Sequence, residues 1–137
     1  MLHSLSTPIF TFSCEPEIFE CDIAYPTNTI LHVHINSDGF CANADLDIDI
    51  KSFARFAADL QQMYVTLQGT AMIEEPFGNQ SFIKFSADHH GHILVNGVID
   101  SSGRNGCCQK LTFESHFDQT YLAEYANTLI AAYSKYL

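Results

Sequence analysis

Residues 31–50 constrain the fold of this chain more than any other stretch. Leu31, Val33 and Ile35 alternate with His32 and His34. Asp38-Gly39 follows, a pair suited to a two-residue hairpin turn because both central positions need positive φ. Beyond it Ala42, Ala44, Leu46, Ile48 and Ile50 alternate with Asn43, Asp45, Asp47 and Asp49. With the turn at Asp38-Gly39, Ser37 pairs with Phe40. Residues 31, 33 and 35 then stand opposite 46, 44 and 42, and both apolar sets share one side. Register and pattern agree, which an accidental alternation would not achieve. The stretch therefore predicts an antiparallel hairpin with one apolar and one polar face.

The rest of the chain extends this pattern. Residues 7–14 and 17–24 are strand-like, with Pro8 and Pro16 as breakers and residues 25–28 as a loop. Residues 52–64 switch to helical spacing, with Phe53, Phe56, Ala57, Leu60 and Tyr64 in one stripe. Gly69 is too far on to cap that helix. Val65–Glu74 alternates again, with Leu67, Ala71 and Ile73 inward. Ile83, Phe85 and Ala87 face in on a further strand, His89-His90-Gly91 reads as a hairpin loop, and Ile93, Val95 and Ile99 face in on the return. Residues 101–106 are a loop before Leu111, Phe113 and Phe117. Asp118 or Thr120 can cap a last helix, whose stripe is Leu122, Tyr125, Ala126, Leu129, Ile130, Tyr133 and Leu137.

Strands with one apolar face and helices with one apolar stripe predict an α+β domain spanning residues 1–137. The expected form is a six- to seven-stranded antiparallel sheet with two helices, near 52–64 and 120–136, packed on one face. A closed barrel is the main alternative.

Charge narrows the function. Sixteen acids face six bases, for a formal net charge of −10. That balance repels nucleic acid and anionic lipid and attracts basic partners. No apolar run approaches the ~20 residues of a membrane helix. Residues 1–5 carry no Lys or Arg and no long apolar stretch, so no signal peptide is expected. The five cysteines, Cys14, Cys21, Cys41, Cys107 and Cys108, form no CxxC pair. They read as free thiols of a cytoplasmic protein, and adjacent Cys107 and Cys108 are a poor match for a bridge.

Three constellations stand out. Asp45, Asp47 and Asp49 lie on one face of one strand, roughly 7 Å apart in succession, with His32 opposite Asp45 and His34 one step along. A solvated sheet face explains such a stripe; a surface for a basic partner explains it too. Asp88, His92 and Asp118 form the second, since the hairpin registers place His92 between the two acids. The bland account is a hydrogen-bonded lock at the sheet end. Metal binding or acid–base chemistry are the others, though no nucleophile or oxyanion donor accompanies them. Third, Met72, Phe82, Leu94 and Val98 fall on the polar side of their strands, with Phe82 and Val98 paired. Either an N-terminal segment rich in Phe10 and Phe12 covers them or they mark an interface. Neither the neighbouring histidines of 89–92 nor the glycines of 102–106 have the context of a metal tract or a phosphate loop.

From about residue 40 to 137 the order of features resembles the WapI family of immunity proteins, cytosolic antidotes in bacterial polymorphic toxin systems. The matching pieces are Phe53-Ala54-Arg55-Phe56, Leu67-Gln68-Gly69-Thr70-Ala71 and Gly91-His92-Ile93-Leu94-Val95-Asn96-Gly97. They continue with Leu111-Thr112-Phe113 and Phe117-Asp118-Gln119-Thr120-Tyr121-Leu122. A Trp-containing loop expected before the first hairpin is replaced by Pro26-Thr27-Asn28-Thr29. The resemblance implies inhibition of a cognate protein toxin by binding, without catalysis, cofactor or metal. The acidic balance suits a basic toxin domain, nucleases among them, and Asp45, Asp47, Asp49, His32 and His34 are the candidate contacts. A monomer or weak homodimer is expected. The competing readings are a small metal-binding or enzymatic domain centred on His92, and an oligomerising structural domain using the apolar patch.

Overall fold

The computed structural model describes residues 3–17, 28–75, 81–100 and 109–137. Its elements are β1 (His3–Ser6), β2 (Phe10–Glu17), β3 (Asn28–Ser37), β4 (Phe40–Asp49), α1 (Ile50–Thr66), β5 (Thr70–Glu74), β6 (Phe82–Ala87), β7 (His92–Asp100), β8 (Lys110–Asp118) and α2 (Thr120–Tyr133). A 3-10 turn over Ser134–Tyr136 follows. The class is α+β, but the strands form two four-stranded antiparallel sheets, β1-β2-β3-β4 and β5-β6-β7-β8, where one sheet of six or seven was expected. Alternation shows which face of a strand is apolar; it does not show which sheet holds the strand. Helix α1, inserted between β4 and β5, separates the two sets.

The hairpin register matches the expectation: Leu31 pairs with Leu46, Val33 with Ala44, Ile35 with Ala42 and Ser37 with Phe40. Asp38 (φ 50°) and Gly39 (φ 88°) make the turn. Pro16, expected to break a strand, lies inside β2 opposite Leu31. Among the described residues β1 pairs only with residues 11–14, so none of them needs a donor from Pro16. Helix α1 runs past the expected end at residue 64, and Leu67, expected on a strand, is its left-handed C-cap (φ 58°), with its N–H on the Met63 carbonyl. The following strand is therefore short, with Ala71 and Ile73 inward as expected. Leu137, assigned to the α2 stripe, is exposed. Residues 18–27, 76–80 and 101–108 lie outside the described residues, and with them Cys21, Cys107, Cys108 and the expected loops there.

The two inner faces meet through aromatic rings. Phe10 of β2 stacks on Phe113 and Phe117 of β8, each at 6.2 Å between centroids, and Phe12 meets Phe85 of β6 at 5.7 Å. Phe10 and Phe12 are thus core residues and cover no outer patch. Helix α1 packs on β5 and on α2, and α2 packs on β1. Phe56 of α1 reaches Phe85 at 5.7 Å. One buried polar contact crosses this core: Cys14 Sγ and Tyr125 Oη lie 3.2 Å apart. Burial pushes the Cys14 thiol up to about 12, so it is an inert core group.

Asp49 ends β4 and starts α1. Its carboxylate accepts the Lys51 backbone N–H at 2.8 Å, satisfying one of the donors a helix start leaves over. Asp49→Ala should therefore cost about 1 kcal/mol, while Asp49→Asn, an equally good cap, should be nearly neutral. Urea unfolding of both variants separates a cap from a merely solvated carboxylate, for which the two would behave alike.

Candidate functional site

The outer face of the first sheet is polar, and its geometry follows from the registers. Glu15 stands opposite His32, which stands opposite Asp45; Glu17, Ile30 and Asp47 form the next row. His32 sits between two carboxylates. Its Nδ1 donates to Asp45 Oδ1 at 2.6 Å and its Nε2 to Glu17 Oε2 at 3.2 Å. Carboxylate acceptors at both ring nitrogens favour the doubly protonated ring. The bond to Asp45 raises its pKa above the ordinary value; burial opposes this, and the weaker bond to Glu17 adds to the rise. His34 Nδ1 donates to Asn43 Oδ1 at 2.7 Å. A shallow depression of about 210 Å³ lies over Ser13, His32, His34, Asn43 and Asp45.

The expected row Asp45, Asp47, Asp49 is therefore not three equivalent charges. Asp45 holds His32 and Asp49 caps α1. The backbone N–H of Asp47 donates to the Glu75 carboxylate at 2.9 Å, which brings a further acid from beyond β5 to the edge of β4. Glu17 and Glu75 escaped the sequence reading. Glu17 is brought in by the β2–β3 register, and Glu75 by a contact between the two sheets. Apart from the clamped His32 ring, charge on this side is negative. Of the sixteen acids, eight fall in residues 1–50, and all six Lys and Arg lie after residue 50.

The His32 bridge makes a prediction with a definite sign. A folded pKa above the unfolded value, roughly 6.5, means the bridge stabilises fully below that pH and is lost as pH rises through the folded value. In an NMR titration His32 should change charge above 6.5, and Asp45→Asn should bring it back down. A wild-type midpoint at or below 6.5 would contradict the clamp.

The second constellation is assembled as the registers require, with His92 opposite Asp118. His92 Nδ1 lies 3.3 Å from Asp88 Oδ2. Each acid is also committed locally. Asp88 Oδ1 accepts the backbone N–H groups of His90 (2.8 Å) and His92 (3.1 Å), clamping the turn in which His89 (φ 71°) and Gly91 (φ 87°) are left-handed. Asp118 accepts the Thr120 N–H at 2.9 Å at the start of α2. These backbone bonds are the first cause holding both carboxyls below the usual carboxylate range. Among the described residues no group of three or more His, Cys, Asp or Glu converges to hold a metal.

In the third constellation Phe82 pairs with Val98, both half-buried, while Met72 and Leu94 are exposed. Met72 lies beside Lys84 and Leu94 beside His116, so polar side chains interrupt the patch. At the tip of the first hairpin, Phe40 is 68% exposed.

A family model described as the immunity protein WapI-like family matches residues 11–137. The chain belongs to the WapI-like immunity protein family. The match extends through β2 and the first hairpin, beyond the residue-40 limit read from the motifs. Membership gives this immunity protein its role, binding a toxin partner, and places the acidic sheet inside the family's shared domain. No curated protein and no solved structure matched the chain. No helix among the described residues is long and apolar enough to cross a membrane.

Proposed function

We propose that this immunity protein neutralises its cognate toxin by occlusion, docking the outer face of the first sheet on a basic surface of the toxin domain. The observation that carries the reading is the acidic excess of that sheet. Strands β1–β4 contain no Lys or Arg, and they hold Glu15, Glu17, Asp45, Asp47 and Asp49, with Glu75 at the edge. Like charges spaced at strand distances cost stability. A basic partner relieves that cost and associates faster for it. A rigid sheet also presents its carboxylates preorganised, which lowers the entropic cost of docking.

A toxin that normally grips phosphates, such as a nuclease, suits this surface best. The protein acts by binding, with no reaction of its own, and works in the cytoplasm of the toxin-producing cell. The free thiols Cys14 and Cys41 suit that reducing compartment. The test is co-expression with the cognate toxin domain. Cells should survive only when the immunity protein is present, and the two purified proteins should elute together on sizing. Separate elution with no protection would sink the proposal.

A further inference from the structure

The first two turns of α1 hold the only two bases in the sequence that stand one helical turn apart, Lys51 and Arg55. Both are exposed. Among the described residues neither side chain forms an ion pair or hydrogen bond, in a chain with sixteen acids. They border a groove of about 330 Å³ between α1 and β5, lined also by Ser52, Phe56 and Met72. Asp59 and Glu74 line it as well, and neither bridges to either base.

This groove adjoins the acidic face at a fixed spacing. Asp49 is at once the last residue of β4 and the cap of α1, so Lys51 follows the acidic row by two residues. The bond from Asp47 to Glu75 ties β4 to the end of β5, one wall of the groove.

We propose that the groove receives an acidic side chain, flanked by an apolar one, from the same toxin surface that docks on the acidic sheet. The inference rests on the toxin-binding reading above. A uniformly basic partner surface would be repelled by Lys51 and Arg55 where it crossed from β4 onto α1. An acid placed there turns that repulsion into a pair, and the apolar neighbour lies against the exposed Met72. The pairing sets one orientation and rejects related toxins that carry a base at the same point.

The experiment uses the cognate toxin domain as probe. Stopped-flow association and dissociation are measured for the wild type, Lys51→Glu/Arg55→Glu and Met72→Ala. The double variant makes the protein more acidic, so long-range steering alone would speed association and leave dissociation unchanged. The groove contact predicts dissociation about tenfold faster or more, and a smaller acceleration for Met72→Ala. Folding is preserved in the double variant because acids in the first turns of a helix suit its dipole, and circular dichroism checks this. Tight wild-type binding with unchanged dissociation of the double variant would overturn the groove and leave the toxin-binding reading standing. Absence of wild-type binding would overturn both.

Discussion

Phe85→Ala is expected to destabilise the protein by about 3–5 kcal/mol. Phe85 is fully buried and joins three parts of the fold. Its ring contacts Phe12 of the first sheet and Phe56 of α1, each at 5.7 Å, and Phe117 of its own sheet at 6.4 Å. Truncation removes the transfer free energy of the ring and leaves a cavity with rigid walls on several sides. Those walls belong to separate elements, so they cannot collapse together without shifting one sheet against the other. Phe40→Ala at the exposed hairpin tip should change stability by only about 0.5 kcal/mol. Urea denaturation of the two variants is the check. A Phe85→Ala cost below about 1 kcal/mol would mean that the two inner faces do not share one core.

Gly97→Ala is expected to cost roughly 3 kcal/mol or more, for a different reason. A Cβ at this position of β7 would lie 2.3 Å from the Phe82 carbonyl oxygen and 3.0 Å from two atoms of the Phe113 ring. The ring could turn, but the carbonyl belongs to the neighbouring strand, where Ile83 pairs with Gly97. Relief therefore requires β6 and β7 to part. Gly39 is the contrasting case. Its added Cβ meets nothing within 4 Å, and only the positive φ of 88° opposes it. Gly39→Ala should cost about 1–2 kcal/mol. A thermal melt in which Gly97→Ala behaves no worse than Gly39→Ala would contradict the close approach of the strands.

Local pairing was legible in the sequence wherever a turn signal sat between alternating strands. Asp38-Gly39 set the register of 31–35 against 42–46, and the turn around Gly91 set Phe82 against Val98. Partition into sheets was not legible, because alternation is the same for a strand in either sheet. Pro16 misled because a proline breaks a strand only where a partner needs its N–H. Leu67 misled because its apolar side chain fits an alternating pattern as well as a helix cap. Within the candidate site, the pairing of His32 with Asp45 followed from the hairpin. Glu17 and Glu75 did not, since they arrive through the β2–β3 register and a contact between sheets. Asp49 looked like a third member of a charge row, and its capping bond emerged only with the start of α1.

The central claim is that the acidic sheet is the docking surface for a basic toxin domain. Its most direct measurement is the association rate with the cognate toxin domain, for the wild type and for Asp45→Asn/Asp47→Asn, at low and at high salt. The double variant leaves the Asp49 cap intact. The account predicts association slowed by about tenfold at low salt, with the gap closing as salt screens the wild type. Equal rates for the two proteins at both salt concentrations would contradict it.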